Sequence, residues 1–144
     1  MVQHLAMRKQ SKYKPKARVL PINIRFSKEA GVNLCLVPQA ELTKFREGIA
    51  DEVSINTLAM RLNLGYVLAG EYFVEGEARA TMENALEALR SVKARKEQTG
   101  KIGATGEEYH RMADGLNLTD QMQESCTRAE LDKALKFVFH AAGK

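Results

Sequence analysis

Apolar residues recur at helical spacing from Pro38 to the end of the chain and predict a mostly helical protein. The clearest helical segment is Glu77–Gln98, whose apolar face consists of Ala78, Met82, Ala85, Leu86, Leu89 and Val92. Its acidic first residue suits the positive end of a helix dipole, and the cations of its last turns suit the negative end. Because Gly100 follows as a stop signal, we expect one long helix here.

A second long helix is predicted just before it, with Ser54 as the expected N-cap. Its apolar positions are Leu58, Leu62, Ala69 and Phe73. Gly65 and Gly70 interrupt the pattern and indicate either a break near Asn63–Gly65 or the close approach of another helix. Since Gly76 separates the two long helices by a short turn, we expect them to form an antiparallel helical hairpin.

Two capping boxes, in which a threonine is followed three residues later by a glutamate, mark helix starts in the last third of the chain. Thr105–Glu108 opens one helix, which we expect to end at Gly115, and a short link then leads to a predicted N-cap at Thr119. Thr127–Glu130 starts or continues a final helix. The pattern leaves open whether residues 119–142 form one helix or two.

The pattern before Pro38 is shorter and partly extended. Ile22–Phe26 alternates apolar and polar residues, as a half-buried strand does, while Asn33–Val37 fits either a strand or a helix. If both are extended, they would pair as a minor β-hairpin. A helix is predicted to begin at Pro38 and to end at Gly48 in the left-handed conformation. The predicted fold class is therefore all-α or mostly α: a small helical domain built on a hairpin, with a short extended N-terminal segment.

Length and composition support one soluble domain: 144 residues, 44% hydrophobic and 28% charged, which is typical of globular proteins. No apolar run approaches the length of a membrane helix, and residues 1–7 contain no signal-peptide block, so we expect a cytoplasmic protein. Cys35 and Cys126 lie far apart in sequence and provide neither a disulfide framework nor a zinc site.

Positive charge is concentrated at the N-terminus, where the first eighteen residues hold six cations and no acid. The remaining residues hold 16 Lys and Arg against 18 Asp and Glu. The prediction is a flexible basic arm over residues 1–18 and a single helical domain over residues 19–144.

The arm is the candidate binding site, because closely spaced cations can follow a phosphate backbone and an aromatic ring can stack on a base. The candidate nucleic-acid-binding residues are Arg8, Lys9, Lys12, Tyr13, Lys14, Lys16 and Arg18. The alternative is a solvated terminus that only keeps the protein in solution.

Other motifs predict little chemistry. The glycines at 100, 103 and 106 do not have the spacing of a phosphate-binding Walker loop and are interpreted as a connector between helices. The three histidines, His4, His110 and His140, have no spacing typical of a metal site. The many carboxylates show no diagnostic pattern. We therefore expect no catalytic residues, no metal and no cofactor.

A helix-turn-helix DNA-binding motif is a further interpretation of residues 58–73, with Asn63–Gly65 as the turn. The second helix of that motif would be apolar and would contain Glu71 but no Lys or Arg. Because base and phosphate contacts usually need cations or amides, this composition argues against DNA reading by the segment.

Two functions of different class are favoured, and an enzyme that acts through a cluster of carboxylates in a deep pocket is a third alternative. The first is a non-enzymatic binding protein whose basic arm contacts nucleic acid or a nucleoprotein complex. The alternative is a protein–protein interaction module or inhibitor, such as a phage-type regulator of a host complex, that acts through a helical face. A homodimer formed through the helical hairpin is compatible with both.

Overall fold

The structure is a computed structural model and describes residues 28–142. It contains five helices over that range, α1 Lys28–Glu47, α2 Glu52–Tyr72, α3 Ala78–Thr99, α4 Gly106–Ser125 and α5 Arg128–Ala142. No strand occurs between residues 28 and 142. The predicted all-α fold is confirmed.

Helix α2 lies at the centre of the fold and packs against α1, α3, α4 and α5. Its buried apolar residues are distributed around the helix and are Ile55, Leu58, Leu62, Leu64, Leu68 and Ala69. A helix with partners on several sides needs more than one apolar stripe, which explains why α2 is apolar over much of its surface.

The antiparallel hairpin of α2 and α3 is confirmed. Lys96, near the end of α3, forms an ion pair with Glu52 at the start of α2. Arg79, at the other end of α3, donates a hydrogen bond to Tyr66 in the second half of α2. Gly76 makes the turn possible with a φ of 95°, which is a conformation that favours glycine.

Helix α1 starts ten residues earlier than the sequence predicts, at Lys28, and Pro38 lies inside it. Asn33–Val37 is helical, so the interpretation of this segment as a strand is wrong; Ile22–Phe26 lies outside the described residues. An internal proline removes one helical hydrogen bond and costs about 3 kcal/mol. Burial of Leu42 and Phe45 offsets part of this cost, since tertiary packing supplies most of a helix's stability.

Gly65 and Gly115 allow close helix contacts and end no helix. Of the two alternatives for Gly65, the close approach of another helix is therefore confirmed, while the predicted helix end at Gly115 is wrong. A Cβ atom at position 65 would lie 2.1 Å from Oγ1 of Thr119, and one at position 115 would lie 2.5 Å from Cβ of Ala85. Helices α2, α3 and α4 meet at these two glycines. Because α2 is continuous through Asn63–Gly65, the helix-turn-helix interpretation is also wrong.

Residues 119–142 belong to two helices. Thr119 is buried inside α4 and is not an N-cap, and α4 continues to Ser125. Helix α5 then starts at Arg128, after the capping threonine Thr127. The predicted link before Thr119 is therefore wrong, while the predicted start of the final helix is confirmed.

The local capping signals are largely confirmed. Thr105 Oγ1 accepts a hydrogen bond from the amide of Glu108 at 3.1 Å, and Glu108 accepts one from the amide of Thr105 at 2.9 Å. At α2 the N-cap is Asp51, and Ser54 is the third residue of the helix, whose side chain completes that capping box, so the prediction of Ser54 as the N-cap is wrong. Gly48 and Gly100 have positive φ values of 76° and 78°, as expected for residues that follow a helix.

Candidate functional site

The predicted nucleic-acid-binding residues lie outside the described residues. These are Arg8, Lys9, Lys12, Tyr13, Lys14, Lys16 and Arg18, and the boundary between the arm and the domain lies there as well. Both the binding role and the domain boundary therefore stay predictions.

The helical body differs from the arm in its electrostatics, because its cations are balanced by acids. Residues 28–142 contain 14 Lys and Arg against 18 Asp and Glu. At least half of these cations form ion pairs, which are Lys44–Glu41, Arg61–Asp120, Arg79–Glu83, Arg95–Glu108, Lys96–Glu52, Arg111–Glu107 and Lys136–Asp132. The body is net acidic, so its overall charge does not favour a polyanion.

A groove lies between α2 and α5. It consists of two adjoining cavities of about 350 and 250 Å³ that share Tyr66, Val67 and Phe137. One end is formed by Gly70 on α2 and Ala134 on α5. The other residues that line the two cavities are Asn63, Glu71, Tyr72, Arg79, Lys133, Val138 and Ala141.

The groove exists because α5 has one main neighbour, α2. Its buried stripe consists of Leu131, Ala134 and Val138. Phe137 and Phe139 lie on opposite flanks of that stripe, about 200° apart around the helix, and are 61% and 60% exposed. Two large aromatic side chains on one helix are therefore left mostly uncovered, and one of them, Phe137, lines the groove.

The Gly70 end of the groove carries positive charge. Arg79 stacks on the ring of Tyr66, with its guanidinium carbon 5.0 Å from the ring centre and Nη2 2.8 Å from the phenol oxygen. This hydrogen bond is the main cause that raises the pKa of Arg79 above its ordinary value. Exposed Lys133 lines the same cavity, and Glu71 is the only carboxylate among the residues that line it.

A polar cluster that sequence reasoning missed joins three helices. Arg61 Nη2 lies 2.7 Å from Oδ1 of Asp120, while Gln39 Nε2 lies 3.3 Å from Oδ2 of Asp120 and 3.3 Å from Oδ1 of Asn117. The Arg61 side chain is buried and that of Asp120 is partly exposed. The partners in this cluster are 59 to 81 residues apart in sequence, so no local motif indicates it.

The glycine-containing segment from 100 to 105 connects α3 to α4, as predicted. Arg95 holds it to α3 by donating a hydrogen bond to the carbonyl of Gly103 at 3.0 Å and by pairing with Glu108 at 2.7 Å. Burial alone would raise the pKa of Glu108, but the hydrogen bonds from Arg95 and from the Thr105 amide hold it below its ordinary value. The segment is therefore a connector between helices, and Arg95 is already paired with groups of the protein.

Within residues 37–142, whose side chains the structure describes, no group of three or more His, Cys, Asp and Glu is placed to hold a metal ion. His110 and His140 are exposed, and Cys126 is half-buried. Over the same part of the chain, no helix has both the length and the apolar character that spanning a membrane requires.

Comparison with known proteins adds no assignment, since no family model, curated protein or solved structure matches this chain. The fold and the groove are therefore interpreted from the geometry of the chain itself.

Proposed function

We propose that this is a non-enzymatic binding protein whose basic arm contacts nucleic acid or a nucleoprotein complex in the cytoplasm. The observation that supports it is the separation of charge: residues 1–27 hold seven Lys and Arg and no acid, whereas residues 28–142 are net acidic. Because many body cations are neutralised by neighbouring carboxylates, the arm is the part of the chain best suited to a phosphate backbone.

The test is a fluorescence anisotropy titration of labelled random-sequence single-stranded DNA, duplex DNA and single-stranded RNA with the full chain. Each phosphate contact contributes about 0.9 to the slope of log affinity against log salt for duplex DNA. Replacing Lys12, Lys14 and Lys16 by Gln should therefore reduce that slope by about 2–3 and weaken binding at low salt.

The matched control removes the same number of charges from the body. Arg90, Lys93 and Lys101 are exposed, and replacing all three by Gln should leave the slope within about 1 of the original value. Equal losses for the two triple variants would show a general charge effect and contradict the role of the arm. Absence of measurable binding to all three probes would contradict the whole proposal.

Tyr13 provides a separate test of base stacking. Stacking of one base on an aromatic side chain contributes about 1–3 kcal/mol. Tyr13→Ala should weaken binding of single strands more than of duplex, and Tyr13→Phe should restore most of it. Equal effects of Tyr13→Ala on both forms would contradict stacking and leave only a charge contribution from the arm.

A second candidate function is interaction with a partner protein through a helical face, and the α2–α5 groove favours it. Concave apolar surfaces with a few polar groups at the rim are typical of binding sites, and Phe137 is an exposed aromatic side chain of the kind that anchors interfaces. Homodimerisation through the α2–α3 hairpin remains a further prediction, which sedimentation equilibrium measures directly.

A further inference from the structure

The walls of the α2–α5 groove match the dimensions of a helix. Asn63, Tyr66, Val67, Gly70 and Glu71 follow one another at helical spacing along one face of α2. Asn63 and Glu71 are about 12 Å apart along the helix axis. An amphipathic helix that docks in a groove presents anchors at positions i, i+3 or i+4, and i+7, which span a similar distance.

The groove also has the form that a third helix would complete. The Gly70 end of α2 lies beside Lys133 and Ala134, and the Asn63 end lies beside Val138 and Ala141. Helix α5 therefore runs antiparallel to α2, and the two form parallel walls. A helix placed between them would cover Phe137, which α2 by itself leaves 61% exposed.

Charge at the rim indicates which helix fits. Among the residues that line this end, Arg79 and Lys133 are cations and Glu71 is the single carboxylate. Arg79 also forms a 3.6 Å ion pair with Glu83, outside the lining, so Lys133 contributes most of the positive charge at this rim. A basic segment would be repelled at this end, which disfavours residues 1–27 of this chain, with seven cations and no acid, as the occupant. A segment with carboxylates beside its apolar anchors would be complementary.

We propose that the α2–α5 groove binds an amphipathic helix of a partner protein that has acidic residues flanking its apolar anchors. This inference rests on the second candidate function, protein interaction through a helical face, and specifies its partner. The apolar anchors would pack against Tyr66, Val67 and Phe137, and the acidic residues would lie beside Arg79 and Lys133.

The probes are three fluorescein-labelled peptides of about 15–18 residues, long enough to form a helix. All three have leucine or phenylalanine at the same anchor positions, and their remaining positions carry Glu, Lys or neutral Gln. Anisotropy titrations with the full chain should show the Glu peptide binding about tenfold more tightly than the Lys peptide at low salt, with the difference shrinking as salt rises.

Two matched pairs of variants locate the binding surface. Phe137→Ala should weaken binding of the Glu peptide about tenfold or more. Phe139→Ala should leave that binding unchanged, because Phe139 lies on the same helix and is equally exposed but is outside the groove. Lys133→Glu should reduce or reverse the preference for the Glu peptide. Lys136→Glu makes the same change of charge at a residue outside the groove lining, so it should change the preference for the Glu peptide less.

The outcomes separate this inference from the function on which it rests. If all three peptides bind equally and Phe137→Ala weakens each, the groove binds helices but the acidic partner is wrong. If no peptide binds the unmodified chain more tightly than it binds the Phe137→Ala variant, helix docking at this groove is contradicted as well.

A photo-crosslinker tests the competing occupants in the full chain. With benzoylphenylalanine at position 137, crosslinks to the Glu peptide support the inference. Crosslinks to a second copy of the chain, or to residues 1–27 of the same chain, that persist in excess Glu peptide would overturn it.

Discussion

Gly65 on α2 lies directly against Thr119 on α4, so that a Cβ atom at position 65 would be 2.1 Å from the Thr119 hydroxyl oxygen. Thr119 cannot easily move away, because it is buried and its hydroxyl donates a hydrogen bond to the carbonyl of Gly115 at 2.8 Å. The absence of a side chain at Gly65 is what permits α2 and α4 to approach so closely.

The two glycines inside α2 should therefore respond to alanine in opposite directions. Gly65→Ala should lower the free energy of unfolding by about 1–3 kcal/mol or more, as overpacking does. At Gly70 the nearest atom to a new Cβ is Nη1 of Arg79 at 3.6 Å, which is an ordinary contact. Gly70→Ala should raise stability by about 0.5–1 kcal/mol, because alanine favours a helix.

Urea denaturation followed by circular dichroism measures both variants under the same conditions. Gly103→Ala is the control, since a Cβ there meets nothing within 4 Å. A neutral or stabilising Gly65→Ala would contradict the close packing of α2 on α4.

Removing one partner of the buried Arg61–Asp120 ion pair should lower the free energy of unfolding more than replacing both partners by apolar residues. Asp120→Ala leaves the buried guanidinium without its carboxylate and should destabilise the protein by about 3 kcal/mol. Arg61→Met with Asp120→Ala replaces the pair by apolar atoms and should recover part of that loss. A double variant less stable than Asp120→Ala alone, in the same urea assay, would show that Arg61 stabilises the fold independently of Asp120.

Glu108 should make stability depend on pH in the acidic range. Its pKa is held below the ordinary 4.5, so its contribution is fully present above the pKa of the unfolded chain and is lost as pH falls through the folded value. The stability difference between the unmodified protein and Glu108→Gln should therefore be constant from pH 7 to about 5 and shrink below about 4.5. A difference that grows towards acid would contradict the lowered pKa.

Adjacent residues on α5 should differ sharply in their importance for folding. Val138 is 4% exposed and Phe137 is 61% exposed. Val138→Ala should cost about 1–3 kcal/mol through lost burial and a cavity, whereas Phe137→Ala should change stability by less than about 0.5 kcal/mol. Thermal melts compare the two, and a large loss for Phe137→Ala would mean that its aromatic ring is needed by the fold.

Removing residues 1–18 should leave the helical domain intact. The core of the described residues extends from Leu42 to Val138, and the composition of the arm, with six cations and no acid, favours a solvated terminus. The free energy of unfolding should change by less than about 0.5 kcal/mol. A cooperative urea transition at a clearly lower midpoint would show that the domain boundary after residue 18 is wrong.

The sequence by itself determined the features that arise from short-range chemistry. The capping boxes at Thr105 and Thr127, the stop at Gly100 and the extent of α3 were predictable, because each depends on hydrogen bonds or dipole effects within one or two helical turns. The concentration of cations in residues 1–18 is equally a property of the sequence. Its binding role stays a prediction.

Only the tertiary structure decided what the interior glycines and the surface aromatics do. A glycine costs a helix about 1 kcal/mol locally, and whether it breaks the helix or admits a neighbour depends on residues far along the chain, as Gly65 and Thr119 show. The Arg61–Asp120 pair and the groove beside Phe137 likewise join residues about 60 to 70 positions apart. Helical periodicity predicts which residues share a face of a helix. Only the packing of one helix on another determines which of those faces remain exposed.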